Sequence, residues 1–216
     1  MNETDFGYCE RLGPEFWAEP VNAVTNAAFL IAAAVMWYRT RGARPGVVAV
    51  LCLVLGVIGI GSFLFHTFAT PWAALADVLP ILGFILVYFY ASNRWYWGLG
   101  LWSSLALTGL FIPYAMGVGW GFSRLPAFSI SAPYWPVFML ISMNGWMLRT
   151  RLPKVARGLL IGAGILGLSL VFRSVDRAVC GVFPVGSHFM WHFLNATMLA
   201  WMIAVLARHL KGRVPL

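Results

Sequence analysis

The stretch that decides the fold is residues 46–66, which read GVVAVLCLVLGVIGIGSFLFH. It contains no Asp, Glu, Lys or Arg, and a helix of this length reaches roughly the 30 Å of a membrane's hydrocarbon core. Further apolar stretches lie at 22–38, 72–91, 95–115, 129–148, 156–174 and 187–207. Because the chain is 61% hydrophobic and only 10% charged, it lacks the polar surface of a water-soluble domain. The sequence predicts an all-α membrane protein, a bundle of seven transmembrane helices.

The basic residues predict how this bundle is oriented. With seven spans, most of the 15 Lys and Arg residues fall on one side, including Arg44 and Arg213. The other side holds only Arg11, Arg124, Arg173 and Arg177. Positive charge marks the cytoplasmic side, so we expect a cytoplasmic C-terminus and an N-terminus outside. The net charge of +8 is then a topology signal, which argues against a nucleic-acid partner.

Short loops predict a single domain over residues 1–216. We expect an extracytoplasmic segment at 1–21, the helix bundle at 22–209 and a cytoplasmic tail at 210–216. The acidic start, Met1 to Glu10, lacks the basic region of a cleavable signal peptide, so the first helix is expected to act as the membrane signal.

Three histidines, one aspartate and one serine stand out inside the predicted helices. They form two patterns, Ser62-x3-His66-x10-Asp77 and His188-x3-His192. Residues four apart share one helix face, so the second pattern can bind one metal ion. Ionisable groups at membrane depth are costly and usually functional. Because consecutive helices alternate in direction, all five positions are expected near the outer face.

This residue set predicts a zinc-dependent hydrolase. Three neutral imidazoles suit zinc and leave a fourth position for water, whose pKa then falls toward 7. Asp77 is placed to hold and deprotonate that water. Ser62 is placed to donate a hydrogen bond to a developing oxyanion. The pattern predicts hydrolysis of a lipid whose scissile bond lies near the membrane surface.

Other interpretations of the same residues stay open. A helical His pair can also ligate haem or form a proton path, and a metal can be structural in a receptor or transporter. Ser62 alone can bond to the carbonyl four residues earlier, as serines in membrane helices do. A retinal protein is excluded, because the only lysines, Lys154 and Lys211, lie at helix ends and leave no buried amine for a Schiff base.

The three cysteines fall in two groups. Cys52 lies in the middle of a predicted span and is expected in the apolar core. Cys9 and Cys180 both fall on the outer face, where they can form a disulfide in an oxidising compartment or remain free thiols.

Six segments carry a resemblance to a known family: Tyr8-Cys9-Glu10, Glu19-x2-Asn22-x3-Asn26, Gly61-Ser62-x3-His66, Asp77-x2-Pro80, Asp176-Arg177-x2-Cys180 and His188-x2-Trp191-His192. The chain resembles the alkaline ceramidases, within a superfamily of seven-helix hydrolases that includes the adiponectin receptors. The resemblance implies hydrolysis of the N-acyl bond of ceramide or a related amide lipid, giving a fatty acid and a sphingoid base.

The resemblance also implies roles for individual residues. It places zinc on His66, His188 and His192, with Asp77 orienting the water and Ser62 stabilising the oxyanion. It pairs Cys9 with Cys180 in a disulfide. For Asp176 and Arg177 the expectation from the sequence itself is an ion pair in the loop before the last helix.

Part of the resemblance concerns calcium. In enzymes similar to the animal members, N-terminal acidic and amide residues hold a calcium ion, and Glu10 and Glu19 match two of those positions. Ca²⁺ is therefore a second candidate cofactor. Calcium prefers six or more oxygens. Gly7 and Leu12, however, stand where the resemblance leads us to expect oxygen-bearing side chains. Arg11 could replace the cation by pairing with either glutamate; the alternative is an ordinary surface ion pair.

The short loops resemble a prokaryotic member of the family. We therefore expect an integral protein of a bacterial inner membrane, with its active site toward the extracytoplasmic side. A bacterium without sphingolipids would supply another amide lipid, such as an N-acyl amino acid or a related aminolipid. The sequence does not predict an oligomeric state.

Overall fold

A computed structural model of the chain describes residues 7–41 and 46–212. The regular elements of this part of the chain are all helical. They are α1 (Pro20–Thr25), α2 (Ala27–Thr40), α3 (Gly46–Phe68), α4 (Pro71–Ala91), α5 (Leu101–Ser123), α6 (Trp135–Met147), α7 (Pro153–Val179) and α8 (His188–Lys211). A π-helical turn at Ser92–Tyr96 extends α4, and a 3-10 turn at Ser129–Ser131 precedes α6. The all-α prediction is confirmed; Arg44, Arg213 and the first six residues, which the topology argument used, lie outside the described residues.

Six helices in the described part of the chain are long and apolar enough to cross a membrane: Pro20–Thr40, Gly46–Phe68, Pro71–Tyr96, Leu101–Ser123, Pro153–Val179 and His188–Lys211. The stretch predicted as a span at 129–148 instead forms α6, which has 13 residues. Pro133 explains the late start, because proline lacks the N–H that a helix running through this position would need. Pro136 lies in the first turn of α6, where proline is tolerated. The seven-span topology and the orientation of the termini stay predictions.

Helix α8 is the centre of the bundle. It packs against α1, α2, α3 and α7. Its side chains Met202, Ile203 and Leu206 are almost completely buried, so the face of α8 that carries His188 and His192 at its start continues as core toward its end.

Helices α3 and α4 come unusually close together beside the two catalytic candidates. A Cβ atom at Gly61 would overlap the backbone carbonyl of Ala76, so glycine is required for this approach. Ala69, with φ 48°, makes the tight turn between the helices, and Pro71 begins α4. The turn brings the start of α4 back along the end of α3.

A tethered N-terminal segment, residues 7–19, covers this end of the bundle. The structure joins Cys9 to Cys180 in a disulfide, which confirms the pairing that the family resemblance implied. Cys52 is buried within α3, as expected. The disulfide fixes the N-terminal segment at the end of α7, next to the start of α8.

Candidate metal centre and its cavity

The structure brings the three predicted histidines together. His66 lies in the last turn of α3, and His188 and His192 lie in the first two turns of α8. Each offers a ring nitrogen, and these nitrogens lie within 4.8 Å of one another. All three side chains are almost fully buried, so the cluster can hold a metal ion away from bulk solvent.

Hydrogen bonds fix the ring nitrogens of His66 and His192. The Nδ1 of His66 lies 2.7 Å from a carboxylate oxygen of Glu19, and the Nδ1 of His192 lies 2.8 Å from the Thr25 hydroxyl. A carboxylate only accepts, and the Thr25 hydroxyl donates its proton to the Val21 carbonyl at 2.7 Å. Both histidines therefore donate through Nδ1 and keep a lone pair on Nε2.

These two lone pairs face each other. The Nε2 atoms of His66 and His192 are 3.2 Å apart. Two acceptors at that separation repel unless a cation or a proton lies between them. Buried, neutral imidazoles with their outer N–H bonded to an oxygen are the arrangement found around zinc, so this donor set fits a zinc ion.

His188 is held from two sides. Its backbone N–H donates to a carboxylate oxygen of Asp176 at 2.8 Å, and the Tyr8 ring stacks on its imidazole with centroids 3.5 Å apart. Burial raises the pKa of the Tyr8 phenol, which stays protonated. The Nδ1 atom of His188 is buried and has no hydrogen-bond partner among the described residues, a costly state that also fits a site completed by a ligand.

The two catalytic candidates lie beside this cluster. Ser62 on α3 and Asp77 on α4 lie next to each other. They line a cavity of about 100 Å³ together with His188. Asp77 is the more exposed of the two. The structure thus places Ser62, Asp77 and His188 around one cavity, and His188 connects this cavity to the other two histidines of the cluster.

The remaining residues that line this cavity are Tyr8, Phe65, Ala74, Val78, Tyr134, Arg173 and Trp191. Tyr134 and Trp191 pack against each other with ring centroids 4.9 Å apart. Arg173 lies over both rings, at 5.2 Å and 5.5 Å. The cavity therefore has aromatic walls and one cationic side chain.

The predicted ion pair between Asp176 and Arg177 is wrong. Asp176 instead accepts the backbone N–H groups of Cys9 at 2.9 Å, Ser187 at 2.7 Å and His188 at 2.8 Å. The free N–H groups at the start of α8 need acceptors, and the buried Asp176 carboxylate supplies them, whereas Arg177 is exposed. Asp176 thus links the N-terminal segment, through Cys9, to His188 at the start of α8.

The N-terminal acidic residues do not fit a calcium ion. The two oxygens of Glu10 accept the N–H groups of Val21 and Asn22, at 2.7 Å and 2.8 Å. One oxygen of Glu19 pairs with the Arg11 guanidinium and the other binds His66. Every carboxylate oxygen therefore faces an N–H donor, whereas calcium needs a shell of oxygens.

Arg11 occupies the position that a cation would take. Besides Glu19, its guanidinium donates to the backbone carbonyls of Gly13 at 3.1 Å and His66 at 3.0 Å. Burial acts to raise the pKa of the Glu19 carboxyl, but its bonds to His66 and Arg11 outweigh burial and hold the pKa below its ordinary value. The pair is buried, so it is not the surface ion pair of the alternative interpretation.

Four contributors to the site escaped the sequence analysis: Tyr8, Thr25, Arg173 and the acceptor role of Asp176. Tyr8, Thr25 and Asp176 lie within the segments that carry the family resemblance, and that position could have marked them as candidates for the site. Arg173 had only one signal, its place as a cation near the outer end of an apolar helix.

The fold and the site together define a multi-pass helical protein with three buried histidines at one end of its bundle that could hold a metal ion. A model of the Ceramidase family matches residues 4–211, nearly the whole length of the chain, so the protein belongs to the ceramidase family. No curated protein matches it. Membership confirms the resemblance seen in the sequence and implies a hydrolase that acts on the amide bond of a lipid.

Proposed function

We propose that this protein is a zinc-dependent hydrolase that cleaves the N-acyl bond of ceramide or a related amide lipid. The single observation that carries the proposal is the pair of facing Nε2 lone pairs of His66 and His192, 3.2 Å apart, beside a carboxylate and a hydroxyl. A metal ion between the two nitrogens would remove their repulsion, and the neighbouring carboxylate and hydroxyl are the groups that amide hydrolysis needs.

His66, His188 and His192 would hold the zinc ion. Zinc bound there would polarise the substrate carbonyl and acidify a water molecule. Asp77 accepts the proton of the attacking water and later delivers it to the leaving amine. Ser62 donates its hydroxyl hydrogen to Asp77 and, once a substrate is bound, to the oxygen of the scissile carbonyl.

Apolar space for the acyl chain adjoins these groups. A second cavity lined by Ser62 and Asp77 continues between α4, α6 and α8 toward Met198 and Leu199. A third cavity, lined mostly by apolar side chains, shares Met198 and Leu199 with it. An acyl chain placed along these cavities has its carbonyl carbon beside Asp77.

The small polar cavity argues against the haem alternative. Its volume of about 100 Å³ is far too small for a porphyrin, and the close approach of His66 to His192 leaves no space for one between them. A purely structural metal is disfavoured because Asp77 and Ser62 line an accessible space next to the cluster.

We propose that α6 completes a seven-span topology with the site at the extracytoplasmic end, in a bacterial inner membrane. In support, the end of α3 and the starts of α4 and α8 meet at the end that the N-terminal segment covers. The basic residues Arg149, Arg151 and Lys154 lie in and beside the loop between α6 and α7, at the other end. A disulfide also needs an oxidising compartment.

The test is lipid mass spectrometry on the purified protein after incubation with ceramide. We expect release of fatty acid and sphingoid base. Asp77→Asn should lower kcat by a factor of about 10²–10⁴, the usual contribution of a general acid–base group, while retaining one zinc per chain. Glu15→Gln, at an exposed position of the N-terminal segment, is the matched carboxylate control. Full turnover in Asp77→Asn, or a wild-type protein with no metal, would contradict the proposal.

A further inference from the structure

Arg173 is a cation in the reaction cavity that forms no direct ion pair; Asp77, which lines the same cavity, acts on its charge only from beyond ion-pair distance. Arg173 lies on α7, two turns before the helix ends, and lines the cavity with Ser62 and Asp77. The ion pairs of the described residues join only Arg11, Glu19 and His66, so no described carboxylate lies within ion-pair distance of Arg173. A charge withdrawn from water in this way is costly unless something neutralises it.

The guanidinium is nevertheless held firmly. One Nη donates to the Ile130 carbonyl and lies 3.3 Å from the Ser131 hydroxyl. The plane lies over Tyr134 and Trp191, and the Tyr8 hydroxyl is a further hydrogen-bonding partner. These neutral groups orient the side chain but leave its charge in place. A guanidinium has five N–H donors, so it can still bind an anion.

The position of Arg173 relates this charge to the lipid. Arg173, Tyr134 and Val78 line both the reaction cavity and a groove of about 720 Å³ between α4 and α5. The walls of the groove are mostly apolar side chains, such as Leu79 and Phe111. Arg173 therefore lies at the boundary between the small reaction cavity and an apolar groove, beside the groups proposed to act on the amide.

We propose that Arg173 binds a carboxylate in the amine half of the substrate, so that the preferred substrates are N-acyl amino acids or similar anionic amide lipids. A carboxylate on the carbon next to the amide nitrogen is small enough for the cavity and close enough to the scissile bond. Guanidinium and carboxylate match in a two-point, charge-assisted hydrogen bond. This inference rests on the proposed amide hydrolysis and names its substrate class.

The experiment compares two lipids that differ at this group alone. N-palmitoylglycine carries a carboxylate, and N-palmitoylethanolamine carries a neutral hydroxyl at the same place. We measure kcat/KM for both with the purified, zinc-loaded protein. In Arg173→Gln the ratio of the anionic to the neutral substrate should fall at least about tenfold, the usual effect of a lost charged hydrogen bond. Arg173→Lys keeps the positive charge but not the two parallel N–H donors of a guanidinium. In this variant the ratio should fall less than in Arg173→Gln.

Arg124→Gln removes an exposed arginine that lies over Trp120 near the end of α5, and it should leave the ratio as in the wild type. An unchanged ratio in Arg173→Gln overturns the inference. If the ratio is unchanged and palmitate inhibits the variant more weakly than the wild type, the inference is also overturned. The guanidinium then binds the fatty-acid product.

The inference and the proposed function fail in different ways. If the wild type cleaves ceramide but the ratio of kcat/KM for the two palmitoyl lipids is the same in Arg173→Gln and in the wild type, only the inference about Arg173 fails. If the wild type cleaves no amide lipid, the proposed hydrolysis fails. In that case the dissociation constants of the two palmitoyl lipids, measured by tryptophan fluorescence, still test Arg173: a ratio that does not change in Arg173→Gln overturns its role.

Discussion

The imidazole Nδ1 of His66 is hydrogen-bonded to the Glu19 carboxylate at 2.7 Å, across 47 positions of sequence. Glu19 is 1% exposed, and its other oxygen pairs with Arg11. The bond sets the tautomer of His66 and makes its Nε2 a better donor to a metal. It also links the N-terminal segment directly to the metal-binding site.

Replacing Glu19 by glutamine should weaken metal binding. Glutamine keeps the shape of the side chain but loses the charge that orients the His66 ring, and such outer partners are worth about 10- to 100-fold in metal affinity. The measurement is the dissociation constant of zinc, by competition with a chromophoric chelator. Glu15→Gln serves as the control, and equal zinc affinity in both variants would remove the role assigned to Glu19.

Selective removal of metal ions should show whether hydrolysis depends on zinc or on calcium. A chelator that prefers transition metals, such as 1,10-phenanthroline, should abolish hydrolysis, and added zinc should restore it. EGTA at a concentration that leaves zinc bound should have no effect, because Arg11 occupies the place of the second cation. Zinc content measured in parallel controls for stripping; loss of activity in EGTA with zinc still bound would show that a calcium site exists.

The disulfide between Cys9 and Cys180 should stabilise the folded protein. Disulfides that close long loops contribute typically about 2–4 kcal/mol. Dithiothreitol should therefore lower the melting temperature of the wild type but not that of Cys9→Ser. Cys52→Ala, which changes the thiol in the core, should respond to dithiothreitol as the wild type does. A wild-type melting temperature that is insensitive to reduction would contradict this prediction.

Asp176→Asn should destabilise the start of α8. Asparagine keeps one acceptor oxygen, whereas Asp176 uses two to bind three backbone N–H groups. We expect a loss of about 1–3 kcal/mol in the free energy of unfolding and weaker zinc binding, because His188 loses its anchor. Thermal unfolding and zinc titration measure the two effects. Arg177→Gln is the control, since the structure shows no ion pair between these neighbours.

The membrane class and the reacting residues could be predicted from the sequence for a local reason. Hydropathy over about 20 residues and the helical period of 3.6 decide a span and the face on which two residues lie. His188 and His192 had to share a face whatever the rest of the chain did. By contrast, the length of α6 depended on where the prolines before it allow a helix to start. The helix at this place begins at Trp135, later than the predicted stretch 129–148.

What the sequence by itself determined is an all-helical, apolar chain carrying Ser62, His66, Asp77, His188 and His192. Only the tertiary structure decided which groups surround them: Glu19 behind His66, Thr25 behind His192, and Arg173 in the cavity. These contacts join residues as far as 167 positions apart. No periodicity encodes them, because they depend on how closely the helices pack and on which helices become neighbours.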